Sequence, residues 1–329
     1  MRAHFLRSWI VCILAGACLV TAAHAQQKTA GLPSDYPSKP VRFVIASSAG
    51  GALDISGRVI AAKLSERWGN VIAENRAGNG VAFDVIMKAA PDGYTLLVGS
   101  ISAFVGAELI LKAPYDVRTK FPPIAQFIAT PYIASVNNEL PVRNLREFVA
   151  YARANPGKLN YAYGAIGSAP QLFGELLKTS QGIDMQGIPF KGVGPSYIEQ
   201  MAGRINLTVG TAASAGPLVK SGKIRAIVVT GARRTRAMPD VLTAAETLPG
   251  FDTMEAWVGL LGGDGLNPAI INTLNKEVNT VLRNPEVEKL LTADGSEITQ
   301  HTPEQFRKVI ADSLDSTARI VKLAGIKLE

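Results

Sequence analysis

The sequence predicts an α/β fold with two domains and with ligand-binding turns at the ends of buried strands. Short apolar runs such as residues 43–45 alternate with segments whose apolar residues recur at helical spacing. Glycine- and serine-rich turns separate these runs, a rhythm typical of a parallel sheet covered by helices. The chain has 329 residues, and the part that follows a predicted leader is long enough for roughly two domains.

The first strand–turn–helix unit is the leading site candidate. A strand at residues 43–45 leads into a turn that contains Ser47, Ser48, Gly50 and Gly51, and a helix then runs to Gly69. Free amides at a helix N-terminus, together with serine hydroxyls, are suited to bind a carboxylate. An ordinary strand-to-helix connection explains the same pattern. Asp54 either caps its own helix or contacts the ligand, and both roles stay open at this point.

The same rhythm continues through the first half of the chain. A strand at residues 71–75 is followed by a glycine-rich turn, a helix at 83–89 and a strand at 94–98. That last strand ends in a turn with Ser100 and Ser102. Because ligands of such sheets bind beyond the carboxyl ends of the strands, both serines join the candidate site.

Two long apolar runs, residues 124–136 and 254–261, interrupt this rhythm and indicate that the chain crosses between domains twice. We therefore predict a discontinuous domain 1 of residues 26–134 plus 258–329, and a domain 2 of residues 135–257. Two crossing segments form a hinge that permits closure over a cleft. The tail is predicted to be helical, with a capping box at residues 302–305.

The second half repeats strands and helices, and its turns supply the opposite wall of the predicted cleft. Strands are expected at residues 159–163, 185–190, 205–209 and 224–230, with a helix at 170–179. Gly210 and Thr211 are predicted to form a turn. Tyr163 and Phe104 are candidates for stacking on an aromatic acid, although core packing suits Phe104 better. The second-wall candidates are Tyr163, Gly164, Gly167, Ser168, Gln171, Gly210 and Thr211.

Residues 1–25 are predicted to be a cleaved secretory leader. Arg2 and Arg7 precede an apolar stretch, and an A-x-A cleavage pattern ends at Ala25, so we expect a periplasmic protein. The apolar stretch is shorter than a membrane span. Lipidation of Cys18 is the weaker alternative, because Ala15 stands where a lipoprotein signal has leucine.

The composition argues against several functional classes. Both cysteines lie in the predicted leader, which leaves the mature chain without a disulfide, a thiol nucleophile or a thiolate metal site. His301 is its one histidine, so we expect no enzyme, no metal and no cofactor. The net charge of +7 suits an anionic ligand, but solubility explains it equally well. The basic cluster at residues 233–236 lacks interleaved aromatic residues, which favours a solvated loop over nucleic-acid binding.

Short motifs spread along the chain carry a family resemblance: residues 37–42, 74–76, 89–96, 114–116, 156–161, 189–192, 222–226 and 238–241. They are similar to motifs of the Bug family, the extracytoplasmic solute receptors of tripartite tricarboxylate transporters. The similarity extends from about residue 36 to residue 326. The resemblance implies a two-domain, type II-like periplasmic-binding-protein fold that holds one small carboxylate in its cleft by amides, hydroxyls and water. It also implies a membrane permease as partner, and we expect a monomer.

The chain departs from the family pattern at the predicted pocket. Ser47 and Ser48 stand in a turn that is usually proline-rich, while Asp54 keeps the family's acidic position. The loop after Arg76 is about two residues shorter than usual in the family. Gln171 takes a position where histidine is frequent, and Gly210 one where aspartate is common. The missing acid at Gly210 makes a bound ammonium group less expected there, so the fold should carry over while the ligand need not.

Two other functions compete with transport. A sensory receptor would hand the liganded form to a membrane signalling protein, and the sequence does not separate it from a transport receptor. A secreted hydrolase would need His301 as its base, and the chain contains no G-x-S-x-G motif.

Overall fold

The computed structural model describes residues 36–50, 52–77, 80–110, 113–164, 167–251, 254–293 and 295–326. The predicted leader and Gly51 lie outside these residues. The strands are β1 (Val41–Ile45), β2 (Val71–Asn75), β3 (Thr95–Ser100), β4 (Pro123–Asn137), β5 (Leu159–Tyr163), β6 (Met185–Pro189), β7 (Leu207–Thr211), β8 (Ile224–Val229), β9 (Glu255–Leu261) and β10 (Glu297–Ile298).

Helices connect and flank these strands. They are α1 (Ala52–Trp68), α2 (Val81–Lys88), α3 (Ile101–Val105), α4 (Val117–Lys120), α5 (Leu145–Ala154), α6 (Ala169–Gln181), α7 (Val193–Met201), α8 (Ala212–Lys220), α9 (Ala244–Thr247), α10 (Pro268–Leu282), α11 (Pro285–Leu291) and α12 (Pro303–Ala324). A π-helical turn, Gly106–Ile110, continues α3. In the described part of the chain, no helix is both long and apolar enough to span a membrane.

The strands form two groups, each built around parallel pairs. In the first sheet, β1 pairs in parallel with β2 and β3, and β9 joins β3 in the antiparallel direction. In the second sheet, β5 pairs in parallel with β6 and β7. The predicted α/β fold is confirmed, and the parallel sheets are completed by antiparallel strands, which the sequence rhythm did not indicate.

Strand β4 belongs to both sheets. Its first part, Pro123 to Pro131, pairs with β9, and its second part, Tyr132 to Asn137, pairs with β7 and β8. The pairing with β9 shifts register twice, which marks bulges along the strand. The strand expected from the apolar run at residues 124–136 is confirmed, and one continuous chain segment joins the two sheets.

Each sheet has its own hydrophobic core, and helix α12 contributes to both. In the first core, Phe104, Trp257 and Phe306 are fully buried and meet edge to face. The second core contains Tyr161 and Phe173, among others. Phe306, Ile310 and Leu314 of α12 pack in the first core, whereas Ile320 packs in the second. The core assignment of Phe104 is therefore confirmed.

Two local predictions are wrong. Gly210 and Thr211 do not form a turn but end β7, because their backbones pair with Ile133 and Tyr132 of β4. Ser102 lies in α3 rather than in a turn, and Ser100 before it caps that helix by accepting a hydrogen bond from the Ala103 amide. Helix α3 is too short to show a helical period in the sequence, since it has five residues.

Candidate functional site

A central cavity of about 320 Å³ lies between the two sheets. Small-molecule sites in proteins have volumes of about 300–1,000 Å³, so the space suits a small ligand. Its walls come from α3, from the start of α6, from α12 and from the crossing strands β4 and β9. The lining residues are Ile101, Ser102, Val105, Tyr132, Gly167, Ser168, Ala169, Leu172, Met254, Glu255, Ser313, Ser316, Thr317 and Ile320.

The N-terminus of α6 forms one wall of the central cavity. Ser168 occupies the N-cap position, but its side chain makes no capping hydrogen bond. The turn before it is shaped by Gly167, whose φ of 76° favours glycine and whose amide donates to Gln171 Oε1 at 2.7 Å. First-turn amides of a helix have no partner within the helix. Pro170 has no amide hydrogen, so the Ala169 and Gln171 amides are the first-turn donors that α6 offers to an anion.

Two buried hydroxyls on the cavity wall have no hydrogen-bond partner among the described residues: those of Ser168 and Ser316. By contrast, Ser313 Oγ donates to Val309 O at 2.6 Å, and Thr317 Oγ1 donates to Ser313 O at 2.8 Å. Buried polar groups without partners are uncommon in folded proteins and mark places where a ligand or water completes the hydrogen bonding. The two free hydroxyls come from different halves of the chain.

The turn between β1 and α1 is held by Asp54. The Gly50 amide donates to Asp54 Oδ2 at 2.8 Å, and Arg58 Nε and Asn75 Nδ2 donate to Oδ1 at 2.7 and 2.8 Å. This geometry matches the contact from Gly167 to Gln171, because in both turns a glycine with positive φ donates to a side chain four residues later. Asp54 is 4% exposed, and its carboxylate is occupied by these contacts.

Replacing Asp54 with asparagine should lower the free energy of unfolding by about 1–3 kcal/mol at pH 7, because a buried charged acceptor of three hydrogen bonds is lost. Burial alone would raise the pKa of Asp54, but the hydrogen bonds from Gly50, Asn75 and Arg58 outweigh burial and hold the pKa below its usual value. This stabilisation is present above the pKa of the unfolded chain and is lost as the pH falls through the lowered folded-state pKa.

Urea denaturation at several pH values measures this effect. The difference between wild type and Asp54→Asn should shrink as the pH falls below about 4. Asp312→Asn is the matched control, since Asp312 pairs with Lys308 on the exposed face of α12. A pH-independent difference for Asp54→Asn would contradict the assignment of the effect to the ionised carboxylate.

The sequence-predicted site residues fall into three groups. Ser102, Gly167 and Ser168 line the central cavity. The side chains of Asp54 and Gln171 hold turns. Those of Ser100 and Thr211 cap helices. The others lie at strand ends outside the cavity lining or, for Gly51, outside the described residues: Ser47, Ser48, Gly50, Gly51, Tyr163, Gly164 and Gly210. Contact of these residues with a ligand stays a prediction.

The side chains around Gly210 leave no room for a larger residue at that position. A Cβ atom on Gly210 would lie 2.5 Å from the Tyr197 hydroxyl and 2.7 Å from Ser214 Oγ. These contacts are much shorter than van der Waals distance, so the two side chains fill the space that an aspartate would need. Glycine at this position therefore follows from the packing of α7 and α8 against β7.

The sequence reasoning missed the C-terminal helix as a wall of the site. Ser313, Ser316, Thr317 and Ile320 have the spacing i, i+3, i+4 and i+7, which places them on one helix face. Small polar residues on an otherwise apolar face were the available signal. Tyr132 and Glu255 also line the cavity and were not predicted. Each lies where a crossing strand passes the cavity, and the local sequence does not indicate that position.

A separate polar cavity contains His301, and Glu255 lines both this cavity and the central one. His301 Nδ1 lies 2.8 Å from Gln126 Oε1, and burial together with Arg233 lowers the pKa of this histidine. Arg233, Glu255 and Glu297 also line the polar cavity. In the described ranges, no three histidine, cysteine or acidic residues stand close enough to hold a metal ion.

The basic cluster at residues 233–236 is engaged by acidic partners. Arg234 forms hydrogen bonds with both carboxylate oxygens of Glu246, at 2.9–3.1 Å. The Arg236 amide donates to Glu297. Acidic groups of the protein itself thus accept hydrogen bonds from Arg234 and from the Arg236 amide.

Comparisons with known proteins agree with this architecture. The model of the "Tripartite tricarboxylate transporter family receptor" family matches residues 57–326. Protein BugT of Bordetella pertussis is 32% identical over 300 residues, which cover 89% of this chain and 92% of BugT.

Solved structures resemble the chain over most of its length. A TctC solute-binding protein from Polaromonas superimposes with a TM-score of 0.80 at 22% identity, covering 87% of this chain and 99% of that protein. The structure of R. palustris Rpa4515 with adipate gives a TM-score of 0.66 at 29% identity, covering 88% of this chain and 99% of the other. The fold predicted from the sequence is thus the fold of known periplasmic binding proteins.

Proposed function

The chain belongs to the receptor family of tripartite tricarboxylate transporters, and from this membership we propose that it binds a small carboxylate in the central cavity and delivers it to a membrane permease. The family consists of solute-binding receptors rather than enzymes. We further propose that the protein is exported to the periplasm after cleavage of residues 1–25, acts as a monomer and needs no cofactor.

The observation that carries this proposal is the uncapped N-terminus of α6 on the central cavity. The Ala169 and Gln171 amides and the Ser168 hydroxyl offer donors to one carboxylate. The Ser316 hydroxyl offers another donor from α12. Apolar side chains, among them Ile101, Leu172 and Ile320, surround these groups and exclude water from the ligand body. A relative at 29% identity was solved with adipate, which supports a carboxylate here.

Capture would involve movement of the two halves toward each other. We propose that residues 26–134 plus 258–329 and residues 135–257 act as the two moving domains, with β4 and β9 as the crossing segments. Because ligand groups would be held from both sides of the cavity, a bound carboxylate would favour the closed arrangement by differential contact.

Calorimetry tests the proposal directly. Titration with a panel of mono-, di- and aromatic carboxylates should find at least one ligand with micromolar affinity. A folded protein that binds none of them would overturn the proposed function. Uptake of the ligand in cells that lack the protein, with and without its restored gene, then separates transport from sensing, because a sensor would leave uptake unchanged.

Removing the free hydroxyls should weaken binding without lowering stability. We expect Ser168→Ala and Ser316→Ala to reduce carboxylate affinity by about three- to tenfold each, as the loss of one hydrogen bond predicts. The melting temperature of the unliganded protein should stay the same or rise, since neither hydroxyl has a hydrogen-bond partner among the described residues. Ser180→Ala on the far part of α6 is the control, because its hydroxyl donates to Leu176 O within the helix.

A further inference from the structure

The central cavity has an unusual balance of charge for a site that binds an anion. Among the described residues that line it, none is a lysine, arginine or histidine, and Glu255 alone carries a carboxyl group. The carboxylate of a ligand therefore relies on amides and hydroxyls. A second charged group on the ligand would lie near the carboxyl group of Glu255, and no basic side chain of the described lining would face it.

Glu255 is placed where a ligand can reach it. It begins β9, next to Pro131 of β4, and its side chain lines both the central cavity and the polar cavity behind it. The side chain packs beside Gly231, where an added Cβ would lie 3.0 Å from Glu255 Oε2. The absence of a side chain at Gly231 thus leaves room for the carboxyl group.

The carboxyl group of Glu255 lacks a hydrogen-bond donor within the described part of the chain. The charges that act on it are those of Arg233, which shares the polar cavity, and of Glu297. Glu255 is only partly buried at the cavity wall, so its carboxyl group is open to a hydrogen bond from a ligand in the cavity.

Resting on the receptor function proposed above, we propose that Glu255 determines the specificity of the central cavity. The ligand is a monocarboxylate that carries a cationic or hydrogen-bond-donating group at its other end, and a dicarboxylate of the same length is disfavoured. The first carboxylate binds at the start of α6, and the donor faces Glu255. Two carboxylates that share one site repel each other, whereas an ammonium group attracts.

The ionisation of Glu255 is consistent with this role. Burial raises the pKa of Glu255, Arg233 opposes that rise, and Glu297 adds to it. A ligand ammonium group would lower the pKa again by favouring the ionised form.

Matched ligand pairs test the proposal. Calorimetry at pH 7.5 compares succinate with 4-aminobutyrate and adipate with 6-aminohexanoate, so that chain length is equal and one end group changes. In at least one pair, the amino ligand should bind at least tenfold more tightly than the dicarboxylate. Glu255→Gln should reduce that ratio at least tenfold, mainly by weakening the amino ligand.

Three controls keep the test decisive. Glu255→Asp keeps the charge and should keep the preference. Glu297→Gln removes an acid from the polar cavity without touching the central one. It should not weaken the preference, because the charge of Glu297 opposes the ionisation of Glu255. Thermal unfolding verifies that each variant is folded.

The inference is overturned if the tightest ligand is a dicarboxylate, if Glu255→Gln leaves the ratio unchanged, or if neither amino ligand binds while another carboxylate does. In each of these cases the receptor function stands. If no carboxylate of the whole panel binds, both the receptor function and the role of Glu255 fall.

Discussion

The variant Trp257→Ala should lose about 3–5 kcal/mol of unfolding free energy, the cost typical of deleting a large buried aromatic side chain. Trp257 is 0% exposed. Its ring centroid lies 5.3 Å from that of Phe104 and 5.2 Å from that of Phe306, both in edge-to-face contact. The residue therefore joins α3, β9 and α12 in one core, and its removal leaves a cavity that the rigid strands cannot close.

Urea denaturation followed by circular dichroism measures the loss, and Trp257→Phe is the matched control. The phenylalanine keeps a ring between the same two neighbours. The indole Nε1 has no hydrogen-bond partner among the described residues, so its removal costs no hydrogen bond. The phenylalanine variant should thus lose clearly less stability than the alanine variant. Equal losses would show that the edge-to-face packing is not the source of the effect.

A tryptophan in place of Ser313 should abolish carboxylate binding while the protein stays folded. Ser313 lines the central cavity from α12, and its hydroxyl donates to Val309 O of the same helix. An indole at this position would take up much of a cavity of about 320 Å³. We expect the affinity for the best ligand of the panel to fall at least about a hundredfold, which corresponds to about 2.8 kcal/mol of binding free energy.

Asp312→Trp is the control for this variant. Asp312 neighbours Ser313 on the exposed side of α12, where it pairs with Lys308. The same bulky residue there should leave affinity within about twofold of wild type, since exposed ion pairs contribute little. If Ser313→Trp binds as tightly as wild type, the ligand site lies elsewhere than the central cavity.

Local signals in the sequence predicted local structure well. The capping box at Thr302 is present, because the Gln305 amide donates to Thr302 Oγ1 and the Thr302 amide donates to Gln305 Oε1. Asn144 caps α5 by accepting from the Glu147 amide. In each case, both partners stand within three residues of each other, so the sequence alone contains the whole interaction.

Non-local packing explains where the predictions fell short. Gly210 was expected in a turn, but β4 supplies a strand partner and Tyr197 fills the space above it. The walls of the central cavity come from Ser102, Ser168 and Ser316, which are far apart in the chain. Turn chemistry identified the first two. Nothing in the local sequence around Ser316 indicates which partner its helix face meets.

The composition of the first core has a consequence for how the chain folds. Val44 lies near the beginning of the described chain, yet it shares that core with Trp257 and Phe306, from strand β9 and helix α12. The nucleus of this half cannot form until nearly the entire polypeptide is available, and contacts between such distant segments close slowly. We therefore expect the first core to form only after synthesis is nearly complete, and an N-terminal fragment that ends before β9 to leave this half of the chain unfolded.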